Sequence, residues 1–355
     1  MNDPQRLVND PQDHVSDPHR ILVRAPNWAG DVVMATPGLR ALRERFPRAQ
    51  LTLQIRAALA PLLSGAPWFD EVIDVASHGR GPARVLTEGR SLRGRGFELG
   101  VCLPDSVSSA LLMRAAGIRC VVGYARPFRG RLLHRAVPPL RGEDGDTMVA
   151  REHHVLGLVE ALGGRADDTR LELFVTDAEA AEAAHALREH RIAADDALAV
   201  LAPGASYGPS KCWPPGHFAR VADVLTERGL RVVLVGAPSE RGIAEAVVRA
   251  ARKAPADLTG RISLGALKAV MRGAGMLVCN DAGARHVAVA FGVPVVCLMG
   301  PTSLEKTNLN LERVTVLAAD VACRPCYHRV CPIDHRCMTR IQPTRVIDAV
   351  PDAAR

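Results

Sequence analysis

The chain has 355 residues, is 48% hydrophobic and carries a formal net charge of +7, which is enough for two domains that each bury a core. No run approaches the ~20 apolar residues a membrane helix needs, and the first residues hold no apolar signal core, so a cytoplasmic protein is expected. Nine cysteines in this length argue against a secreted disulfide scaffold and for thiols or a metal site.

Residues 1–19 repeat an Asp-Pro step every seven positions (Asp3-Pro4, Asp10-Pro11, Asp17-Pro18). Proline at that spacing prevents a stable helix, and the stretch reads as a disordered extension. Ile21-Leu22-Val23 then reads as a strand, Pro26 to Asp31 as a turn, and Leu39, Leu42 and Phe46 as one face of a helix. Residues 51–55 alternate as a second strand, completing a βαβ unit. Strands follow at 72–75, 99–103 and 121–124, with a helix at 106–116. The Gly- and Arg-rich stretch 77–96 is expected to be an exposed, mobile loop. From Arg80 to Arg141 there are twelve arginines against Glu88, Glu98 and Asp105, a local excess of +9. With few aromatics to stack bases, that segment suits phosphorylated substrates or an anionic membrane surface rather than nucleic acid. Arginines on ordinary solvated surface would account for part of it.

A polar helix at 177–190 leads to a strand at 198–202, where a second α/β run begins. It comprises a turn at Pro203-Gly204-Ala205, helices at 217–228, 239–252 and 264–272, and strands at 231–235, 276–279 and 293–299. Two such halves predict an α/β molecule of two doubly wound domains facing a cleft, with ligands beyond the carboxyl ends of the strands. The expected division is 20–175, a linker helix at 176–197, 198–346, and a tail at 347–355.

Four stretches carry candidate chemistry. In Asn27-Trp28-Ala29-Gly30-Asp31, Gly30 permits a tight turn and Asp31 is either a general base for a hydroxyl nucleophile or a helix cap. The stretch from Pro203 to Pro214 places small residues, including Ser206, ahead of Lys211, as in a phosphate loop with its cation, although no GxxxxGK[ST] is present; Trp213 is expected to be a core anchor. Glu240, after Gly236-Ala237-Pro238-Ser239, either accepts from ribose hydroxyls or complements a helix dipole. Asn280-Asp281-Ala282-Gly283-Ala284-Arg285-His286 follows a buried strand. There Asp281 is expected to cap the helix, and the small residues open backbone N–H groups to an anion.

Together these stretches, with His286-Val287-Ala288, Gly292-Val293-Pro294 and Gly300-Pro301-Thr302, resemble glycosyltransferase family 9, the ADP-heptose:lipopolysaccharide heptosyltransferases. They are most like its heptosyltransferase II branch, which adds the second heptose of the inner core. The resemblance runs from Arg20 to about Val346. It implies the GT-B fold, two Rossmann-like domains with the acceptor in the first and the sugar nucleotide in the second. It also implies an inverting transfer with Asp31 as base and no metal in the chemistry. Gly30, Ser206, Lys211, Glu240, Asp281, Ala282, Gly283 and His286 are then the donor-binding set. The implied partners are ADP-heptose and an anionic lipopolysaccharide acceptor at the cytoplasmic face of the inner membrane, which the protein would touch peripherally. Arg126, Arg129 and Arg131 are the candidate acceptor contacts. Two positions depart from the family pattern: Cys212 stands where an Arg is expected, and Arg285 where an apolar residue is usual.

Cys323, Cys326, Cys331 and Cys337, with His328 and His335 between them, have a density that suits a structural zinc. Because the spacing is not that of two CxxC pairs, reduced thiols or two local disulfides stay open. Alternatives to the leading function are transfer to another core position or another glycan, a sugar-nucleotide epimerase, and a zinc-stabilised nucleic-acid-binding module.

Overall fold

The computed structural model describes residues 17–75, 81–142 and 149–351. The extension at 1–16, residues 77–80 of the expected loop and 352–355 of the tail lie outside them.

The first sheet contains β1 (Arg20–Arg24), β2 (Gln50–Ile55), β3 (Glu71–Asp74), β4 (Leu99–Cys102), β5 (Cys120–Tyr124) and β6 (Arg135–Val137) in the order β3-β2-β1-β4-β5-β6. The second contains β7 (Leu198–Ala202), β8 (Arg231–Leu234), β9 (Ala256–Asp257), β10 (Met276–Asn280), β11 (Val295–Leu298) and β12 (Val314–Leu317) in the order β12-β11-β10-β7-β8-β9. All neighbours are parallel. The central strands β4, β7 and β10 are buried along their whole length, which is why they read as unbroken apolar runs in the sequence.

Helices α1 (Ala29–Met34), α2 (Thr36–Arg45), α3 (Gly81–Ser91), α4 (Val107–Ala115) and α5 (Arg151–Glu160) cover the first sheet, and α6 (Asp177–Glu189) leads to the second. Its entry is fixed by a capping box in which Thr176 and Glu179 satisfy each other's backbone N–H groups. Helices α7 (Pro215–Glu227), α8 (Arg241–Ala250), α9 (Leu264–Arg272), α10 (Gly283–Ala290), α11 (Arg336–Thr339) and α12 (Pro343–Asp348) belong with the second sheet. Helix α12 spans the boundary expected at Val346, and that side chain is buried in the second unit's outer core.

Two expectations are overturned. The supposed loop over 77–96 contains α3, because Val85 on the helix and Leu92 just past its end are buried with Ala110 and Met113. The turn expected over 26–31 ends early: α1 begins at Ala29 and places Asp31 in its first turn.

Candidate functional site

In each sheet the strand order reverses between two central strands, β1 and β4 in the first, β7 and β10 in the second. At such a reversal the two following connections diverge and leave a crevice at the strands' carboxyl ends. Asp31 lies just after β1, Asp105 and Ser106 after β4, Lys211 after β7 and Asp281 after β10. The candidate residues thus gather at both crevices.

On the second sheet, Lys211 and Asp281 are brought into contact. Lys211 Nζ donates to Asp281 Oδ2 at 2.6 Å and to the Asp281 carbonyl at 2.9 Å. Asp281 Oδ2 also accepts from Thr302 Oγ1 at 2.7 Å, and Arg285 Nη1 lies 3.6 Å from Oδ1. Burial opposes charge on Asp281, but Lys211 and Arg285 outweigh it and hold the carboxyl below its ordinary range. Asp281 is not the helix cap: Ala282 is, with no side-chain hydrogen bond. The carboxylate organises the cations instead. Asn280 ties the two connections together, since its amide donates to the carbonyls of Pro203 (2.8 Å) and Gly204 (3.3 Å) and accepts from Trp213 N (3.0 Å). Trp213 is fully buried, as expected of an anchor.

The remaining donor candidates are more dispersed. Ser206 is exposed on its loop. Glu240 turns inward, where its carboxylate accepts from Ala237 N at 2.8 Å and burial raises its pKa. Arg285 is buried and donates to the Thr307 carbonyl at 2.6 Å, while its Nε and Nη1 have no hydrogen-bond acceptor among the described residues. His286 is buried, and burial, reinforced by Arg285, lowers its pKa to about 3, so the ring is neutral near pH 7.

The two units meet at this point. A Cβ added to Gly30 would sit 3.1 Å from His286 Cδ2, and one added to Gly283 would sit 3.1 Å from Ala29 Cβ. Small residues on both sides let the N-terminal turns of α1 and α10 approach closely, which puts Asp31 beside the Asp281–Ala284 turn.

On the first sheet, Asp31 Oδ1 lies 3.5 Å from Arg151 Nε. Both line a cavity of about 220 Å³ together with Trp28, Asp105, Ser106 and His154. A larger cavity of about 880 Å³ adjoins it, with Asn27, Trp28, Pro104 and Ser106 lining both. The larger one also presents Arg24, Arg56, Arg84, Ser108 and Ser109, against Asp74 and Glu88. Asp105 accepts from Arg126 at 2.8 and 3.0 Å and from Arg129 at 3.4 Å, with the His154 ring 3.3 Å away. Burial alone would raise its pKa; His154 and Arg126 overcome that and keep the carboxyl well below the usual carboxylate range.

The arginines expected to touch the acceptor are therefore arranged differently. Arg129 is fully buried, its Nη1 also donating to the Tyr124 carbonyl. Like Arg126, which is part-exposed, it pairs with Asp105. Arg131 is exposed. Asp105, Arg151 and His154 are added to the site by the fold alone, since nothing in their spacing marks them.

Cys323, Cys326, Cys331 and Cys337 are free thiols lining one cavity of about 130 Å³ with His328. His335 is engaged elsewhere, 2.7 Å from the Ser210 carbonyl. Among the described residues, no three His, Cys, Asp or Glu side chains are grouped as metal ligands. Nor is any described helix long and apolar enough to cross a membrane.

A family model described as glycosyltransferase family 9 (heptosyltransferase) matches residues 85–336. The chain is 29% identical to lipopolysaccharide heptosyltransferase 2 of Escherichia coli over 344 residues, 93% of this chain and 97% of that protein. It superposes on the solved E. coli ADP-heptose lipopolysaccharide heptosyltransferase II with a TM-score of 0.75 at 25% identity, covering 94% of this chain and 98% of the other. A family 9 glycosyl transferase from Veillonella parvula shares the fold with a TM-score of 0.76 at 24% identity, over 85% of this chain and 88% of its own.

Proposed function

The chain belongs to glycosyltransferase family 9, and from that premise we propose that it moves heptose from ADP-heptose onto the inner core of lipopolysaccharide, at the second heptose position. The carrying observation is the close approach of Gly30 and His286, which sets a carboxylate of one unit beside the anion-binding turn of the other. In this reading Asp31 takes the proton of an acceptor hydroxyl. That oxygen bonds to the anomeric carbon from one face as the bond to the diphosphate breaks on the other, inverting the centre and releasing ADP. Arg151, 3.5 Å away, orients the carboxylate. Lys211 and the backbone N–H groups of the Asp281–Ala284 turn stabilise charge gathering on the leaving diphosphate. Replacing Asp31 by Ala should lower turnover by roughly 10²–10⁴-fold with ADP-heptose affinity unchanged, measured by product formation and calorimetry. Near-normal turnover would remove Asp31 as base.

The acceptor then occupies the 880 Å³ cavity, its reacting hydroxyl reaching Asp31 through the lining the two cavities share. Arg56, exposed at the rim, would hold a carboxylate or phosphate of the core. A lost charge-assisted hydrogen bond costs about 1.5–3 kcal/mol, so Arg56→Ala should raise the acceptor KM by about tenfold or more and leave the donor KM in place. A shift in the donor constant alone would move the acceptor out of this cavity. The anionic acceptor is also what would bring the protein to the inner membrane's cytoplasmic face.

A further inference from the structure

After β12 the chain turns back and lays the Cys-rich segment across the two connections that form the donor side of the cleft. Cys326 N and Tyr327 N donate to the Pro301 carbonyl at 3.0 and 2.9 Å, and Arg324 Nε donates to the Gly300 carbonyl at 3.0 Å. The neighbouring Thr302 holds Asp281. On the other side, Ser210 N donates to the Arg329 carbonyl at 3.1 Å and Ser210 Oγ to the His328 carbonyl at 2.5 Å, while the Tyr207 hydroxyl donates to the Tyr327 carbonyl. Gly208, at φ +154°, is required here, because a Cβ would run into the Arg329 carbonyl. The segment is fastened to the loop of Lys211 and to the loop that orients Asp281.

This fastening presents Arg329 at the cleft. Its guanidinium lies 5.5 Å from the ring centroid of Tyr207 and 6.0 Å from that of Trp28, three residues before Asp31 on the other unit. Lys211 Nζ lies 5.1 Å from the same Tyr207 ring. Lys211 is neutralised by Asp281, whereas Arg329 makes no ion pair among the described residues. Two cations flank one aromatic ring and one of them lacks a counter-ion. Stacking on an exposed ring replaces little of that counter-ion, and a phosphate would supply the missing charge and match the guanidinium fork.

We propose that Arg329 is a substrate-binding residue that takes a phosphate oxygen of the donor's diphosphate, which makes the Cys-rich segment part of the donor site. The inference rests on the ADP-sugar reading above, and the test separates the two. ADP, AMP and adenosine are titrated calorimetrically into the wild-type protein and into the Arg329→Ala and Arg329→Lys variants. The expected result is a loss of about tenfold or more in ADP affinity for the Ala variant and a smaller loss for Lys. Adenosine affinity and the thermal midpoint should stay unchanged, because Arg329 is exposed and fills no core. Wild-type protein that fails to bind ADP would sink the nucleotide reading and this inference with it. Wild-type binding with an Ala variant within twofold of it would sink the role of Arg329 alone. A defect confined to the acceptor KM would likewise overturn it.

Discussion

In the first turn of α10, His286 has its ring edge against Gly30 of the other unit, and protonating it there would bury an unpaired charge beside Arg285. The unfolded chain takes up this proton near pH 6.5, but the folded protein does so only near 3. Between those values the unfolded state holds more protons, so stability falls as pH falls. At 1.36 kcal/mol per pH unit, crossing the whole interval costs on the order of 5 kcal/mol. The Asp281 carboxyl is displaced in the same direction, but its contribution is lost only below its ordinary value of 3.8. Urea unfolding at pH 7.5, 5.5 and 4.5 therefore leaves Asp281 ionised throughout, and comparison with a His286 variant separates His286 from other groups such as His217, whose pKa burial also lowers. Wild-type protein should lose stability across that series, and His286→Asn should lose distinctly less; parallel losses in the two proteins would show that His286 does not set the slope. The same neutrality leaves His286 as a packing group and not a source of positive charge at the cleft.

At the level of elements, what could be read from the residues depended on how a segment is buried. β4, β7 and β10 are enclosed on both faces, so their apolar runs announced them, and Lys211 and Asp281 were legible because each follows such a run. Asp31 was legible by the same rule, though its helix was not: Ala-Gly-Asp opens α1 without a capping side chain, and Gly30 looks like a turn residue. Its glycine serves the approach of α10, a contact with a residue more than 250 positions away. Helix α5, which brings Arg151 and His154 to Asp31, carries histidines and a glycine on a weak stripe and gave no clear period. The pairing of Arg126 and Arg129 with Asp105 was out of reach for a related reason. Charge counts locate arginines along the chain, but only the fold pairs them with Asp105. The Cys-rich segment drew attention to its sulfur atoms, whereas its contacts with the donor loops run through backbone carbonyls that any sequence would supply.

Across the whole molecule, the cleft works only if the two sheets keep a fixed relation, and Lys268 holds three parts of the chain at one point. It projects from α9, is fully buried, and lies 3.1 Å from Glu179 on the connecting helix α6. Its ammonium also donates to the carbonyls of Pro61 (2.9 Å) and Ser64 (3.1 Å) in the first unit. Three partners satisfy the three N–H groups of an ammonium, which lets this cation stay buried even though burial lowers its pKa. Removing the charge leaves Glu179 without its counter-ion and two carbonyls without donors, a change that costs about 3–5 kcal/mol for a buried pair. Lys268→Met should therefore unfold at markedly lower urea. Glu179→Gln keeps an oxygen for the Thr176 backbone N–H and removes the stranded charge, so the double variant should recover a large part of the loss. The scattering radius of the folded single variant should also rise as the first unit is freed from α9. A single variant within about 1 kcal/mol of wild type and unchanged in size would mean that the two units are held by their apolar contact and the α1–α10 approach, with Lys268 incidental to both.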